Sequence, residues 1–181
     1  YGEGLRVVCA DTDAQPLRPV AGAGMTAVLL GGSRLSGHGT GGDAILGRLA
    51  AQDDLETLRA QMQHVRTVVI LASLGGGTGG GATPEIVKAL HDMGMATVCF
   101  VTRPFVFEGE ARAKSADRVL PMIEENADSL IVIPQDDLFS DAREELLGDA
   151  IQVSESLISA GVTLLWRLLT KPGFIQLDPE R

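Results

Sequence analysis

Gly75-Gly76-Gly77-Thr78-Gly79-Gly80-Gly81 decides the reading of this chain through what stands on either side of it. Thr67-Val68-Val69-Ile70-Leu71-Ala72 precedes it, a short β-branched apolar run of the kind that forms a buried strand. Thr83-Pro84-Glu85-Ile86-Val87 follows it and predicts a helix starting at about residue 84. There Thr83 can cap, proline suits the first helical position, and Glu85 favours the positive end of the helix dipole. A glycine run alone is also an ordinary flexible connector. Strand, glycine loop and helix N-terminus in succession make a phosphate cradle, because backbone N–H groups without side chains in the way converge on an anion. Thr78 adds a hydroxyl at the centre of the run. No Gly-Lys-Ser/Thr follows, so the loop is not of the Walker type, and it does not open the first strand–helix unit as a dinucleotide fingerprint does.

Working outward, apolar runs predict strands at 5–10, 26–30, 96–102 and 129–133 in addition to 67–72. Helices are expected at 44–63, about 84–93, 110–126, about 141–147 and about 154–170. The alternation predicts an α/β fold, a Rossmann-like parallel sheet with helices on both faces. In such sheets ligands sit beyond the carboxyl ends of the strands. Four polar loops, 11–15, 31–42, 73–82 and 103–112, each follow a strand directly and therefore share that edge.

These loops hold the candidate site residues. Gly37, Gly39 and Gly41 alternate in the second loop, where bare glycines let a terminal phosphate approach; an ordinary mobile loop would read the same way. His38 has no metal-ligand spacing with His64 or His91. Asp11 and Asp13 end the first strand, where Asp13 can hold a Mg2+ ion or its waters against a triphosphate, or both can make Asx turns. Glu108 can accept hydrogen bonds from ribose hydroxyls, and Arg112 can meet phosphate or pair with Glu108 on the surface.

Bulk composition limits the alternatives. The 181 residues, at 19.0 kDa, suit one domain or a little more. Hydrophobic residues make up 45% and aromatics only 4%, so the core must be aliphatic. A net charge of −9 argues against a nucleic-acid surface. Cys9 and Cys99 sit in apolar runs and read as buried free thiols, which fits a reducing cytoplasm. No apolar stretch approaches the ~20 residues of a membrane span, and Tyr1-Gly2-Glu3-Gly4 is not read as a signal peptide.

The motifs together resemble FtsZ, the bacterial relative of tubulin. Leu71-Ala72-Ser73-Leu74, the glycine run and Ala82-Thr83-Pro84-Glu85-Ile86 are similar to that family's GGGTG-(Ser/Thr)-G signature and its Pro-led helix. Asp11-Thr12-Asp13-Ala14-Gln15-Pro16-Leu17 is similar to its Asn-Thr-Asp-Ala-Gln-x-Leu. Val101-Thr102-Arg103-Pro104-Phe105-Val106-Phe107-Glu108-Gly109-x-x-Arg112 is similar to its Val-Thr-x-Pro-Phe-x-Phe-Glu-Gly-x-x-Arg. Ser129-Leu130-Ile131-Val132-Ile133-Pro134 and Thr170-Lys171-Pro172-Gly173 match as well, all in order along the chain. The resemblance implies a GTP/GDP-binding domain that polymerises head to tail. It puts the α- and β-phosphates on Gly75, Gly76, Gly77, Thr78, Gly79 and Gly80, the terminal phosphate near Gly37, Gly39 and Gly41, and the ribose and neighbouring groups on Glu108 and Arg112.

Departures from the family pattern are as informative. The signature has Ser or Thr where Gly80 stands, and Asn where Asp11 stands. The family's guanine pocket aligns with Ile151, Glu155 and Ser156, which offer no aromatic to stack on the base. Its acidic loop, which in the family enters the next subunit's nucleotide site and positions water, reads here Gln176-Leu177-Asp178-Pro179-Glu180-Arg181; the resemblance implies Asp178 as one catalytic acid, puts Arg181 where the second acid stands, and leaves Glu180, one position away, as its substitute. Weak GTP hydrolysis, completed between subunits, is the expectation. The alternative is a non-hydrolysing structural or regulatory paralogue that assembles without nucleotide or with a true FtsZ. The family also opens with a strand and glycine loop not matched here, and carries a second domain. The expected organisation is thus a nucleotide-binding domain over 1–150, a central helix and the start of the acidic loop over 151–181, and a fragment or truncated paralogue as a whole.

Overall fold

The computed structural model describes residues 5–136 and 147–170. Five strands form: β1 (Val8–Asp11), β2 (Thr26–Leu29), β3 (Thr67–Ser73), β4 (Ala96–Arg103) and β5 (Ser129–Pro134). Every pairing is parallel, with Val8 opposite Thr26, Thr67 opposite Ala96 and Val98 opposite Ser129. Helices α1 (Ala14–Gly22), α3 (Ala44–Asp53), α4 (Leu55–Gln61), α5 (Gly77–Asp92) and α6 (Glu110–Glu124) connect the strands, with a single turn of helix, α2 (Gly32–Leu35), after β2, and α7 (Leu147–Thr170) follows β5. The strands do not make one sheet, as the alternation suggests. They form a pair, β1–β2, and a separate triple, β3–β4–β5.

The interior is aliphatic, as so few aromatics require. Val28, Leu30, Ala50, Ala51, Leu58 and Ala82 pack between the β1–β2 pair and helices α3, α4 and α5. Leu74, Val87, Cys99, Val101, Ala116 and Ile123 fill the space between the triple and helices α5 and α6. Along β4, Cys99 and Val101 face this second cluster. Phe100, pointing the other way, lies against α7, where a Cβ on Gly161 would come within 3.0 Å of the Phe100 ring. Helices therefore cover both faces of the triple. No helix among the described residues is long and apolar enough to cross a membrane.

Three local readings need correction. Helix α5 begins at Gly77 rather than at residue 84, so Thr83 and Pro84 are buried inside it instead of capping it. Four glycines disfavour a helix by up to about 1 kcal/mol each; packing overrides that here, because α5 lies backbone to backbone on α3. A Cβ on Gly47 would fall 2.0 Å from the Gly77 carbonyl oxygen, and one on Gly81 would fall 2.1 Å from the Ala44 carbonyl oxygen. The 11–15 segment is not merely a turn, since it starts α1, whose two prolines disguise it. Pro16 sits in the first turn, where no helical N–H partner is needed. The expected helix 44–63 is two helices, interrupted at Asp54, whose carboxylate accepts the Gly31 N–H at 2.7 Å instead of leaving the helix undisturbed. The short helix expected at about 141–147 lies almost wholly outside the described residues.

Candidate functional site

The carboxyl ends of β1, β2, β3 and β4 open on one edge, and the loops leaving them meet at the first turn of α5. Gly76 is the N-cap, and the N–H groups of the following turn have no acceptor within the helix. Thr78 stands in this turn. Its hydroxyl shares a 2.6 Å hydrogen bond with the Thr12 hydroxyl and donates, at a long 3.4 Å, to the Asp11 carboxylate. Thr12 is fully buried, so this contact ties the end of β1 to the glycine run. Asp11 also accepts the Asp13 N–H at 3.1 Å, closing a tight turn.

Asp13 caps α1 through one carboxylate oxygen, Oδ1, which accepts the Gln15 N–H at 2.8 Å. The other, Oδ2, lies 4.0 Å from where a Cβ on Gly39 would be, so it faces the second glycine loop. That loop is pinned to the same turn: Gly39 N–H donates to the Thr12 carbonyl at 3.1 Å, and Ala14 N–H donates to the Gly37 carbonyl at 3.0 Å. Gly37, Gly39 and Gly41 all have positive φ, and a side chain on Gly37 would meet Ala14 at 2.9 Å. The alternating glycines are thus demanded by backbone shape. Asp43 ends the loop as the cap of α3, accepting Ile45 N–H at 2.7 Å and Leu46 N–H at 3.3 Å. Among the described residues no group of three or more His, Cys, Asp or Glu side chains is placed to hold a metal.

Two further loops close on the run. Thr40 is buried against Gly77, whose missing Cβ would sit 2.0 Å from the Thr40 hydroxyl. Gly75, at φ +91°, accommodates the 104–112 segment: its missing Cβ would sit 2.9 Å from the Arg112 carbonyl oxygen and 3.0 Å from the Pro104 ring. Glu108 has both oxygens engaged. One accepts the Phe105 N–H at 2.9 Å and the other accepts Arg112 at 2.6 Å. Arg103, at the end of β4, pairs with Asp117 of α6. The first task of Glu108 is therefore to fold its own loop, with Arg112 held beside it.

Direct contacts join Asp11 to Thr78, Asp13 to Gly39 and Gly37 to Ala14, while Gly77 lies against Thr40 and Gly75 against Arg112 in the segment that carries Glu108. Gly80 lies one turn into α5, with room around it: a Cβ there would have nothing nearer than 3.7 Å. Thr12 and Thr40 were missed in the sequence. Only their placement between Asp11 and Asp13, and between Gly39 and Gly41, hinted at them. Asp178 and Glu180 lie outside the described residues. Of the expected base-pocket positions, Ser156 bonds to its own helix at the Gln152 carbonyl, 2.7 Å away, and Glu155 borders a cavity between α7 and β3.

The pattern described as "Tubulin/FtsZ family, GTPase domain" matches residues 2–143, which include every loop at this edge. The chain belongs to the tubulin/FtsZ family. It is 38% identical over 177 residues to the cell division protein FtsZ of Rickettsia typhi, covering 97% of this chain and 39% of that protein. With FtsZ of Pseudomonas aeruginosa the identity is 36%, covering 97% and 44%. An empty FtsZ dimer from M. jannaschii superposes with a TM-score of 0.89 at 35% identity, covering 97% of this chain and 50% of that one. CetZ2 of Haloferax volcanii, solved as a GTPγS-bound protofilament, superposes with a TM-score of 0.78 at 26% identity over 89% of this chain and 48% of that one. The chain thus spans about two-fifths of the curated FtsZ relatives and half of the solved FtsZ and CetZ chains. Within that span it has the FtsZ-like GTPase-domain fold.

Proposed function

We propose that this FtsZ-like chain binds GTP and GDP at the start of α5 and assembles head to tail into filaments in the cytoplasm, with weak GTP hydrolysis. The observation that carries the reading is the junction at Gly77 and Thr78, where the loops after β1, β2 and β4 all close on an open helix N-terminus. Free N–H groups, a helix dipole and glycines that keep side chains away suit the α- and β-phosphates. Gly37, Gly39 and Gly41 stand where a terminal phosphate would extend, and Asp13 Oδ2, facing Gly39, would hold Mg2+ or its waters there. Mg2+ would offset phosphate charge; this chain's residues orient the phosphates and exclude side chains from their path.

Weak turnover is inferred from three residues. Asp11 sets a carboxylate beside Thr78, Gly80 supplies no hydroxyl, and Arg181 stands where the family resemblance expects an acid in the loop that completes a neighbour's site. A site completed by the next copy makes a heterologous contact, which generates open filaments. The CetZ2 protofilament among the structural relatives supports that mode of assembly.

Titration calorimetry with GTP, GDP and ATP, with and without Mg2+, tests binding. Micromolar, Mg2+-dependent GTP binding is expected, and its absence refutes the reading in favour of a nucleotide-free structural paralogue. Phosphate release measured against protein concentration tests hydrolysis: slow release is expected, and robust concentration-dependent turnover defeats the claim of weakness.

A further inference from the structure

We propose that the side-chain hydroxyl of Thr40 is a phosphate-binding group, donating to an oxygen of the terminal phosphate and so favouring GTP over GDP. This role rests on the proposed GTP site at the start of α5. Thr40 is only 9% exposed. Its hydroxyl is aimed at the first residue of that helix: a Cβ on Gly77 would fall 2.0 Å from Thr40 Oγ1 and 2.8 Å from Thr40 Cβ, with the Thr40 methyl farther off. Among the described residues that hydroxyl has no hydrogen-bond partner. Buried hydroxyls are ordinarily paired, and one left unpaired costs its desolvation. The atom is not sealed either, since Arg59 Nε is the side-chain polar atom that is both sealed and unpartnered among the described residues. An acceptor from outside the chain can therefore reach Thr40 Oγ1.

The backbone fixes this side chain on both sides. Gly39 N–H, just before Thr40, donates to the Thr12 carbonyl at 3.1 Å, and the Thr40 carbonyl accepts the Asp43 N–H at 3.2 Å. Threonine is branched at Cβ and stiff about χ1, so the direction of the hydroxyl is set with the backbone. Two helix starts meet beside it. Helix α5 opens at Gly77, and α3 opens directly after Asp43, whose nitrogen would lie 2.9 Å from a Cβ on Gly77. Their positive ends favour an anion there. Three carboxylates nearby oppose it: Asp43 caps α3, Asp13 Oδ2 faces Gly39, and Asp11 accepts from Thr78. None of the three takes the Thr40 proton.

Position in the loop selects the phosphate. Thr40 lies between Gly39 and Gly41, on the wall where a terminal phosphate would extend. Thr78, on the glycine run, already has Thr12 and Asp11 as partners. A hydroxyl that donates to a phosphate oxygen makes a charge-assisted bond, stronger than one between neutral groups. GDP, which lacks the terminal phosphate, would not form it.

Calorimetric titration of the whole chain with GTP and with GDP, Mg2+ present throughout, tests this role on two variants. Thr40→Val keeps the shape and removes the hydroxyl, while Thr40→Ser keeps the hydroxyl. Thr40→Val should bind GTP at least about tenfold more weakly than the wild type and GDP within about threefold of it. Thr40→Ser should stay within about threefold of the wild type for both nucleotides. Because the hydroxyl bonds to nothing in the protein, the urea midpoint of Thr40→Val should equal or exceed that of the wild type. Undiminished GTP binding by Thr40→Val, equal losses for the two nucleotides, a Thr40→Ser protein as weak as Thr40→Val, or a lowered urea midpoint in Thr40→Val would each overturn the role of Thr40 and leave the GTP site standing. No GTP binding by the wild type would instead refute the GTP site itself, and the role of Thr40 with it.

Discussion

The contact between α3 and α5 predicts that one substitution, made at two neighbouring glycines of the same helix, has opposite signs. Helix propensity alone says that Gly80→Ala and Gly81→Ala should each stabilise the protein by up to about 1 kcal/mol. Neither glycine has a positive φ, so backbone strain is not at issue. Space separates them. At Gly80 the nearest heavy atoms to a new Cβ are the Gly75 nitrogen at 3.7 Å and the Ser115 hydroxyl at 3.8 Å, an ordinary van der Waals fit. At Gly81 the new Cβ would lie 2.1 Å from the Ala44 carbonyl oxygen, 2.6 Å from the Arg48 nitrogen and 2.9 Å from the Gly47 carbonyl carbon. All three are backbone atoms of α3, which no rotamer change can move. The helices would have to part by roughly 1 Å, loosening the whole contact, at an overpacking cost of about 1–3 kcal/mol. Gly80→Ala should therefore gain up to about 1 kcal/mol, and Gly81→Ala should lose up to about 2 kcal/mol net of that gain. Urea denaturation followed by circular dichroism, with a common slope for all three proteins, reads the difference. Equal stability of the two variants, or a Gly81→Ala protein more stable than the wild type, would refute the claim that backbone contact with α3 is why the run is glycine.

Other expectations follow from single contacts. Asp43→Ala removes the cap that accepts Ile45 and Leu46 N–H groups and should cost about 1 kcal/mol in thermal or urea unfolding. Asp11→Asn keeps an acceptor for Asp13 N–H and Thr78 while removing a negative charge beside the cradle. GTP affinity by calorimetry should rise about tenfold, roughly 1.4 kcal/mol, with unfolding little changed. Burial, reinforced by the Asp128 charge, pushes the Cys99 thiol up to about 11 from 9.0. The folded protein thus keeps a proton that the unfolded chain releases, and stability should fall as pH rises from about 9 towards 11 and be unaffected by this group below that window. The pH dependence of urea midpoints for wild type and Cys99→Ala reads that loss. In native protein at pH 8, Cys9 should react with a thiol reagent well before the fully buried Cys99.

Much of this architecture could be read from local pattern. The run 96–102 is largely buried on both faces, and its apolarity marks it as a parallel strand whatever surrounds it; the apolar run 67–72 reads the same way, although Leu71 is exposed. The loops that build the site were legible for a similar reason. They leave strand ends, and Gly37, Gly39, Gly41 and Gly75 are needed where the backbone turns to positive φ, a requirement each glycine meets alone. Glu108 and Arg112, four residues apart on one turn, could pair without help from afar.

What stayed hidden depended on atoms distant in sequence. Nothing near residue 77 favours a helix there; contact with α3, some thirty residues earlier, holds the glycines helical and moves the start of α5 seven residues forward. The link from Thr12 to Thr78 spans 66 residues and gives the central hydroxyl a partner that no local rule names. The separation of the strands into a pair and a triple is likewise invisible in any one strand, because pairing is a property of two edges meeting in space. Short-range chemistry settled which segments are strands and which loops carry glycine. Long-range packing settled where the helix begins, what the threonines touch, and which strands pair.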